Sequence, residues 1–454
     1  MTETLNKHTF ADTSSDVAVS RAPFSAWAAL GILVLVSVFS FVDRQVLTIL
    51  AEPMRHSLGM SDVQIGMLQG GGLTLFAVLG GIPLAMLADR FDKRIVLAGC
   101  IAAWALATAA CGLAQNFSQL LLATIGIAVG EAGIAPVVYS MIPSLFHGSQ
   151  RTSANLVYYS ASILGASLGM VLGGAMYNVL PVDGAGLPAF LRAFEVWRIA
   201  LFLAALPAPA FIILVLLIRD PRKPSDHASQ HVGPEAGEAF TAYLRSNWRT
   251  LAAVFASVGF TCAAFAPVMA WLPTAIARAY GVSPGDTGMR LGSILSAGAL
   301  GGIAIATLAN RFGRQRYGEL LALKTGQICA LAAALAAALP LAVQTLSMAY
   351  LMVFIMSVAS IGYCALLPSF YQSIAPGYLL ARVVALAGIV TAICTALGPV
   401  LVGSMSDYLS KRTDGLLLSI ALVSVPCMLL TAGLMALTVR SARATLMRVN
   451  ELGS

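Results

Sequence analysis

Three ionisable side chains stand where the sequence is otherwise apolar. Asp43 and Arg44 interrupt the run from Phe24 to Leu50. Glu131 lies 13 residues beyond Ser118 and 15 before Phe146, the ends of a second apolar run. A charge at the centre of a bilayer costs about 2.5–3.5 kcal/mol on insertion scales, so each is a candidate for function. A carboxyl group at that depth can gain and lose a proton, because burial disfavours its charged form. An arginine there can pair with a carboxylate or with an anionic head group. Adjacent residues on a helix point about 100° apart, so Asp43 and Arg44 are expected to address different surroundings. The alternative for all three is a fixed ion-pair cluster that only ties two helices together. Lys324, a lysine inside an apolar run about two turns from its end, is expected to snorkel.

The elements that must position these groups follow from composition. The chain has 454 residues, of which 58% are hydrophobic and 10% charged; an average soluble domain is about 25% charged. At about 20 apolar residues per crossing, this length accommodates roughly twelve transmembrane helices. The expected spans are 24–50, 63–88, 95–114, 118–146, 152–180, 195–218, 250–279, 286–309, 317–342, 345–374, 379–408 and 414–440. Continuous apolar stretches such as 331–340 lack the alternation of a membrane β-barrel. The net charge of +7 reads first as a topology signal. With the N-terminus inside, 18 of the 27 Lys and Arg residues fall in inner segments or the span ends beside them and seven in outer segments or the span ends beside them, while two (Arg44 and Lys324) lie deeper within spans. That bias predicts both termini in the cytoplasm; the expected location is the cell (inner) membrane, as a multi-pass protein.

Residues 1–23 form a polar N-terminal tail, and 441–454 a cytoplasmic C-terminal tail. Residues 219–249, rich in Pro, Ser and charge, read as a cytoplasmic linker between bundles 24–218 and 250–440. A repeat supports the division. Leu87-Ala88-Asp89-Arg90-Phe91 closes the second span and Leu308-Ala309-Asn310-Arg311-Phe312 the eighth. The expected architecture is therefore an all-α membrane protein, twelve transmembrane helices in two pseudo-symmetric six-helix halves, with a substrate site at the midplane between them. The seven cysteines lie in apolar stretches without CxxC spacing and read as small core residues.

Several functions find no support. There is no GxxxxGK[ST] for nucleotide hydrolysis, no HExxH and no Cys/His metal spacing. No basic stripe carries interleaved aromatics, so nucleic acid is not an expected partner. No nucleophile–base pair shares one depth, so an enzyme is not expected, nor a metal or cofactor. A receptor or scaffold that binds without transport stays open.

At this point the sequence resembles the major facilitator superfamily. The loop after the second span is similar to its hallmark G-x-x-x-D-[RK]-x-G-[RK]-[RK]. Asp89-Arg90 and Lys93-Arg94 match, while Ala85 and Asp92 replace the two glycines. The second copy keeps Arg311, Gly313 and Arg314, with Asn310 in place of the aspartate. The resemblance covers about residues 24–440. A narrower likeness is to the Spinster branch, the bacterial relatives of sphingolipid and lysolipid transporters. It rests on Phe41-Val42-Asp43-Arg44 and on Gly130-Glu131-Ala132-Gly133. The branch's arginine two turns before the glutamate is Thr124 here.

The resemblance implies a secondary carrier working by alternating access, with protons and an amphipathic lysolipid- or sphingolipid-like molecule as partners alongside membrane lipids. A carrier of small organic anions or drugs is the alternative within the class. It implies a cavity lined by the first, fourth, seventh and tenth spans. Asp43 and Glu131 would be proton sites, Arg44 would pair with a carboxylate or with substrate, and Phe265, Met269, Tyr363, Ser369 and Phe370 would form an apolar wall. Asp89, Arg90, Lys93, Arg94, Arg311 and Arg314 would form a latch favouring the outward-facing state. The glycines at 165, 169, 173 and 174 read as a close-packing face, similar to an antiporter-associated motif of the superfamily except at Met170.

Overall fold

The computed structural model describes residues 23–146, 148–180, 193–218, 235–343 and 345–453. Most of the expected N-terminal tail and residues 219–234 of the expected linker lie outside them. Among the described residues every regular element is helical. Nine stretches are long and apolar enough to cross a membrane. One of them, Pro284–Ala342, is 59 residues long, and two shorter apolar helices, Phe76–Ala88 and Leu164–Val179, stand beside the nine. The 59-residue stretch is two crossings, because Gly318, with φ of 53°, follows the helix Pro284–Tyr317 and the next helix, Leu321–Ala342, runs back. Twelve crossings result, as the length of the chain suggests.

The first span is Phe24–Ile49, followed by a short helix, Ala51–Leu58, lying outside the crossing. The second starts at Asp62–Gly66, widens into a π-helical stretch at Met67–Leu75 and continues as Phe76–Arg90. The third is Lys93–Leu113. The fourth is Phe117–Ala132 and Ile134–Leu145, with Gly133 between its halves. The fifth is Gly148–Val179, and the sixth is Val196–Ala205 with Ala208–Leu217.

In the second bundle the seventh span is Glu235–Tyr280, the eighth Pro284–Tyr317 and the ninth Leu321–Ala342. The tenth is Leu346–Cys364 with Leu367–Ile374, the eleventh Gly377–Tyr408 and the twelfth Gly415–Gly453.

Two boundaries differ from the sequence reading. Residues 235–249, expected in the linker, are the start of the seventh helix. That extension is amphipathic: Tyr243 is buried and donates to the Ile374 carbonyl at 2.6 Å. The expected C-terminal tail is likewise helical, since Thr445 meets Thr250 at 3.0 Å and Arg448 donates to the Ser246 carbonyl. Both pieces carry polar residues on one face, which hid their helical packing from a hydropathy reading.

Small residues set how closely the helices approach. A Cβ at Gly169 would stand 2.8 Å from the Phe41 carbonyl carbon, so the fifth span lies directly on the first just before Asp43. A Cβ at Gly130 would stand 2.6 Å from the Trp104 amide, which brings the fourth span onto the third beside Glu131. The glycine run thus has the packing role expected of small residues between membrane helices.

Enlarging such a site costs about 1–3 kcal/mol by overpacking. Gly169→Leu should lower the thermal unfolding midpoint of the purified protein markedly, whereas Gly31→Leu, where a Cβ meets nothing within 4 Å, should leave it near the parent value. Tm in detergent, followed by light scattering or intrinsic fluorescence, reads the difference.

Candidate functional site

The first span presents Asp43 and Arg44 to different neighbours. Asp43 is fully buried and accepts two hydrogen bonds from the third span, from Trp104 Nε1 and Thr108 Oγ1, both at 2.7 Å. Its Oδ1 has no hydrogen-bond partner. Arg44 turns to the fourth span, where its Nη2 lies 3.1 Å from Glu131 Oε2. Glu131 is 8% exposed, and its Oε1 also lacks a partner. Close glycine packing of the fifth span on the first and of the fourth on the third thereby brings two carboxyl groups and one guanidinium together. Thr124 carries no charge into this group: it is buried and donates to the Leu120 carbonyl at 2.8 Å.

Arg44 is also the edge of a cavity of about 350 Å³ between the two bundles. Its first-bundle wall continues with Gln45, Thr48 and Gln69. Gln69 belongs to the π-helical stretch. Across the gap stand Phe265, Met269 and Ala266 from the seventh span and Ser360 and Ile361 from the tenth. The cavity therefore has a polar wall from one bundle and a mostly apolar one from the other. Glu131 stands one side chain behind it, with Arg44 between.

The expected apolar wall is only partly there. Phe265 and Met269 line the cavity; Tyr363, Ser369 and Phe370 do not. Tyr363 is 1% exposed and sits within the second bundle, its hydroxyl 3.2 Å from Ser257 Oγ and 3.8 Å from Met435 Sδ. Ser369 and Phe370 line a separate crevice with Asn310, Arg314 and Glu319. The first half of the tenth span, Leu346–Cys364, is apolar nearly all round, so sequence could not fix the rotation that turns Tyr363 into the bundle. Gln45 and Gln69 escaped the sequence reading because glutamine carries no charge. Their signal was available: Gln45 follows the Asp-Arg pair, and Gln69 precedes three glycines inside an apolar run.

Of the loop residues expected to form a latch, Lys93, Arg94, Arg311 and Arg314 make contacts within their own bundle. Asp92 caps the third span by accepting from the Arg94 amide, and it pairs with the Arg94 guanidinium at 2.8 Å. Arg94 also donates to the Ile218 carbonyl, and Lys93 to the Ser140 carbonyl at 2.7 Å. Arg90 is exposed. Arg314 lies 3.7 Å from Glu319, and Arg311 stacks over Phe312. The side chain of Asp89 lies outside the described residues.

The bundles are joined instead at the opposite end, by residues read from sequence only as loop charges. Arg278, near the end of the seventh span, donates to Glu52 at 2.6 Å and to Asp62 at 2.7 Å. Arg55 adds a 3.0 Å contact to Glu52, and Ser406 donates to Asp62 Oδ2 at 2.7 Å. Asp407, at the end of the eleventh span, accepts from the backbone amides of Asp62 and Val63 at 3.0 and 3.1 Å. A carboxylate at a helix N-terminus is favoured by the exposed amides and the dipole. Below this layer the fifth and eighth spans meet so closely that a Cβ on Gly174 would stand 2.5 Å from the Gly285 carbonyl oxygen. This end of the molecule is closed above the cavity.

Two bundles of membrane helices closed at one end over a shared cavity define a carrier fold, and comparison with known proteins agrees. Residues 33–399 match the model of the Major Facilitator Superfamily, and the chain belongs to that family. An MFS-type efflux pump of Mycolicibacterium smegmatis is 32% identical over 65% of this chain and 65% of its own length. The human protein spinster homolog 1 is 25% identical over 55% of this chain, and Drosophila protein spinster 21% over 64%. The chain spans 45% and 47% of the lengths of these two relatives. Among solved structures, a bacterial homolog of the human lysosomal transporter Spinster in an inward-facing, unoccupied conformation superposes with a TM-score of 0.74. It shares 22% identity, over 94% of this chain and 98% of that one. A D-xylose-proton symporter superposes at 0.64 with 14% identity, over 89% and 97%. The chain is a multi-pass membrane protein of the Major Facilitator Superfamily, similar in sequence and fold to the Spinster proteins just described.

Two outcomes follow for the closed end. Burial raises the pKa of Glu52, but the hydrogen bonds and charges of Arg278 and Arg55 together outweigh it and hold the carboxyl below its usual value of 4.5. Groups with depressed pKa values stabilise the structure above their ordinary range and lose that contribution as pH falls through the lowered value. The closure should therefore persist at neutral pH and weaken only in strong acid. Arg278→Gln should separate the bundles at this end at neutral pH. Spin labels at Gln115 and Lys411 read the distance between the bundles, which should lengthen or broaden in the variant.

Proposed function

We propose that the chain is a proton-coupled secondary transporter of an amphipathic, lysolipid- or sphingolipid-like substrate, sited in the inner membrane with both termini in the cytoplasm. The observation that carries this reading is the Arg44–Glu131 pair at the edge of the cavity between the bundles. Glu131 has one carboxyl oxygen on Arg44 and one without a partner. Protonation of Glu131 would release Arg44, and ionisation would draw it back. Because Arg44 is part of the cavity wall, the proton and the substrate would act on the same side chain. Asp43, one residue away and held by Trp104 and Thr108, would be a second proton site.

With the termini inside, the closed end carrying Arg278 faces outward, and the state described is one closed to the outside. In the opposite state the loops holding Arg90, Lys93, Arg94, Arg311 and Arg314, together with Asp89, would come together and act as the second latch. Alternating access then trades one set of charge-assisted contacts for another, and neither state needs to be much more stable than the other. The wall of Phe265, Ala266 and Met269 suits a hydrocarbon tail. The likeness to Spinster proteins supports a lipid-like substrate. The likeness to a mycobacterial efflux pump supports a second reading, an efflux carrier for drugs or small organic anions.

Reconstitution into proteoliposomes with an imposed pH gradient tests the reading. The parent protein should accumulate or release a labelled amphiphile in response to the gradient. Glu131→Gln should abolish gradient-driven transport while leaving the thermal unfolding midpoint within a few degrees of the parent. Undiminished proton-driven transport by that variant would overturn the assignment. Binding without any vectorial movement would make the protein a receptor.

A further inference from the structure

The charges around the cavity do not balance. Among the described residues Arg44 is the one charged side chain in its lining. The only carboxylate oxygen within ion-pair distance of it is on Glu131, at 3.1 Å. Behind the wall lies a second acid, Asp43, whose two hydrogen-bond donors, Trp104 and Thr108, are neutral. The facing wall from the seventh, tenth and eleventh spans brings no charge. Two acids thus surround one base. The group carries a net negative charge with both acids ionised and none with one protonated.

While Glu131 is ionised, an anionic head group entering this site would compete with it for Arg44. Its success would leave a buried carboxylate uncompensated, and breaking a buried pair in that way is strongly unfavourable. A head group without net negative charge meets no such penalty.

A second observation concerns the neutral polar atoms of the same lining. Gln45 Oε1, both amide atoms of Gln69 and Ser360 Oγ are buried without a hydrogen-bond partner, and Ser360 is 6% exposed. Buried polar groups normally have partners, and one left without costs about 1–3 kcal/mol. Each glutamine amide offers an acceptor oxygen whichever way it is turned. Two acceptor oxygens and a hydroxyl can receive hydrogen bonds, while Gln69 Nε2 and Arg44 Nε, also buried without a partner, can donate them; the set suits a ligand group that donates, as a hydroxyl or an amide does while also accepting. The apolar side chains opposite, Phe265, Met269 and Ile361, leave the tail on the other wall.

We propose that the cavity selects amphiphiles whose head group is neutral or cationic and donates hydrogen bonds (a hydroxyl, an amide or a protonated amine), with Gln45 and Gln69 as the recognising side chains, and that it discriminates against anionic heads. The proposal rests on the amphiphile-carrier reading above. It assigns to Arg44 the holding of Glu131 and not the binding of an anion, and it narrows the second reading to drugs that are not acids.

A head-group series on one shared dodecyl chain tests it. The full-length protein in nanodiscs at neutral pH is titrated with dodecylammonium, monolauroylglycerol, dodecyltrimethylammonium and laurate, each below its micellar concentration. Dissociation constants are compared with those of Ala266→Trp, in which the cavity is filled. The two donors should bind about tenfold more tightly than laurate, a difference of ~1.4 kcal/mol, and more tightly than the trimethylammonium compound, which has no donor. Gln45→Leu with Gln69→Leu should remove the advantage of the donors without making laurate bind better. Laurate binding as tightly as the donors would overturn the proposal while leaving the amphiphile-carrier reading standing. Binding of none of the four would overturn both, and equal binding to Ala266→Trp would place the ligands outside the cavity and overturn the proposal too. The parent protein's series decides the matter even if the glutamine variants fold poorly.

Discussion

Holding an ion pair at the edge of a cavity among apolar helices is the constraint on which the rest of this structure turns. Arg44 and Glu131 meet at 3.1 Å inside an otherwise apolar bundle, with Asp43 close behind. Each charge is costly there, and removing one partner exposes the cost of the other. The helices around the pair are arranged to hold it. Gly130 and Gly169 let the fourth and fifth spans come close to their neighbours on either side, and Trp104 and Thr108 satisfy one oxygen of Asp43. A site built this tightly changes state when a proton or a ligand changes the balance of charge.

The closed end applies the same chemistry at the ends of the spans. Arg278, Glu52, Asp62 and Asp407 join the bundles through mostly buried side chains, and each acid there is held by several donors while the end is closed. Deeper contacts between bundles are made by backbone and small side chains, as at Gly66 against Pro399 and at Ser167 against Ser296. Such surfaces can separate with little polar cost. The division of labour suits a rocking motion: strong, charge-assisted contacts at the rim, weak and smooth ones inside.

Much of this was legible beforehand. The apolar runs gave the crossings, the repeated Leu-Ala-Asx-Arg-Phe loops gave the two bundles, and Asp43, Arg44 and Glu131 stood out as charges in the wrong solvent. Phe265 and Met269 do line the cavity. Tyr363, Ser369 and Phe370 do not, and Gln45 and Gln69 were passed over. Arg278 shows in the sequence only as one of the outer basic charges, and Asp62 carries no signal there, although the two join the bundles. The helical extensions at 235–249 and 441–453 read as linker and tail in the sequence because they carry polar residues on one face.

The division has a physical cause. Transfer of a side chain from water to lipid is close to an additive, local property, so the sequence alone determines which segments enter the membrane and which charges are out of place in it. Pairing is neither local nor additive. Residue 44 lies 87 positions from residue 131, and a helix that is apolar all round carries no stripe to show which way it faces. A rotation of one residue, about 100°, would exchange Asp43 for Arg44 at the cavity. That Arg44 and not Asp43 holds Glu131, that Gln69 and not Tyr363 faces the gap, and that Arg278 bridges the bundles were decided only when the helices packed.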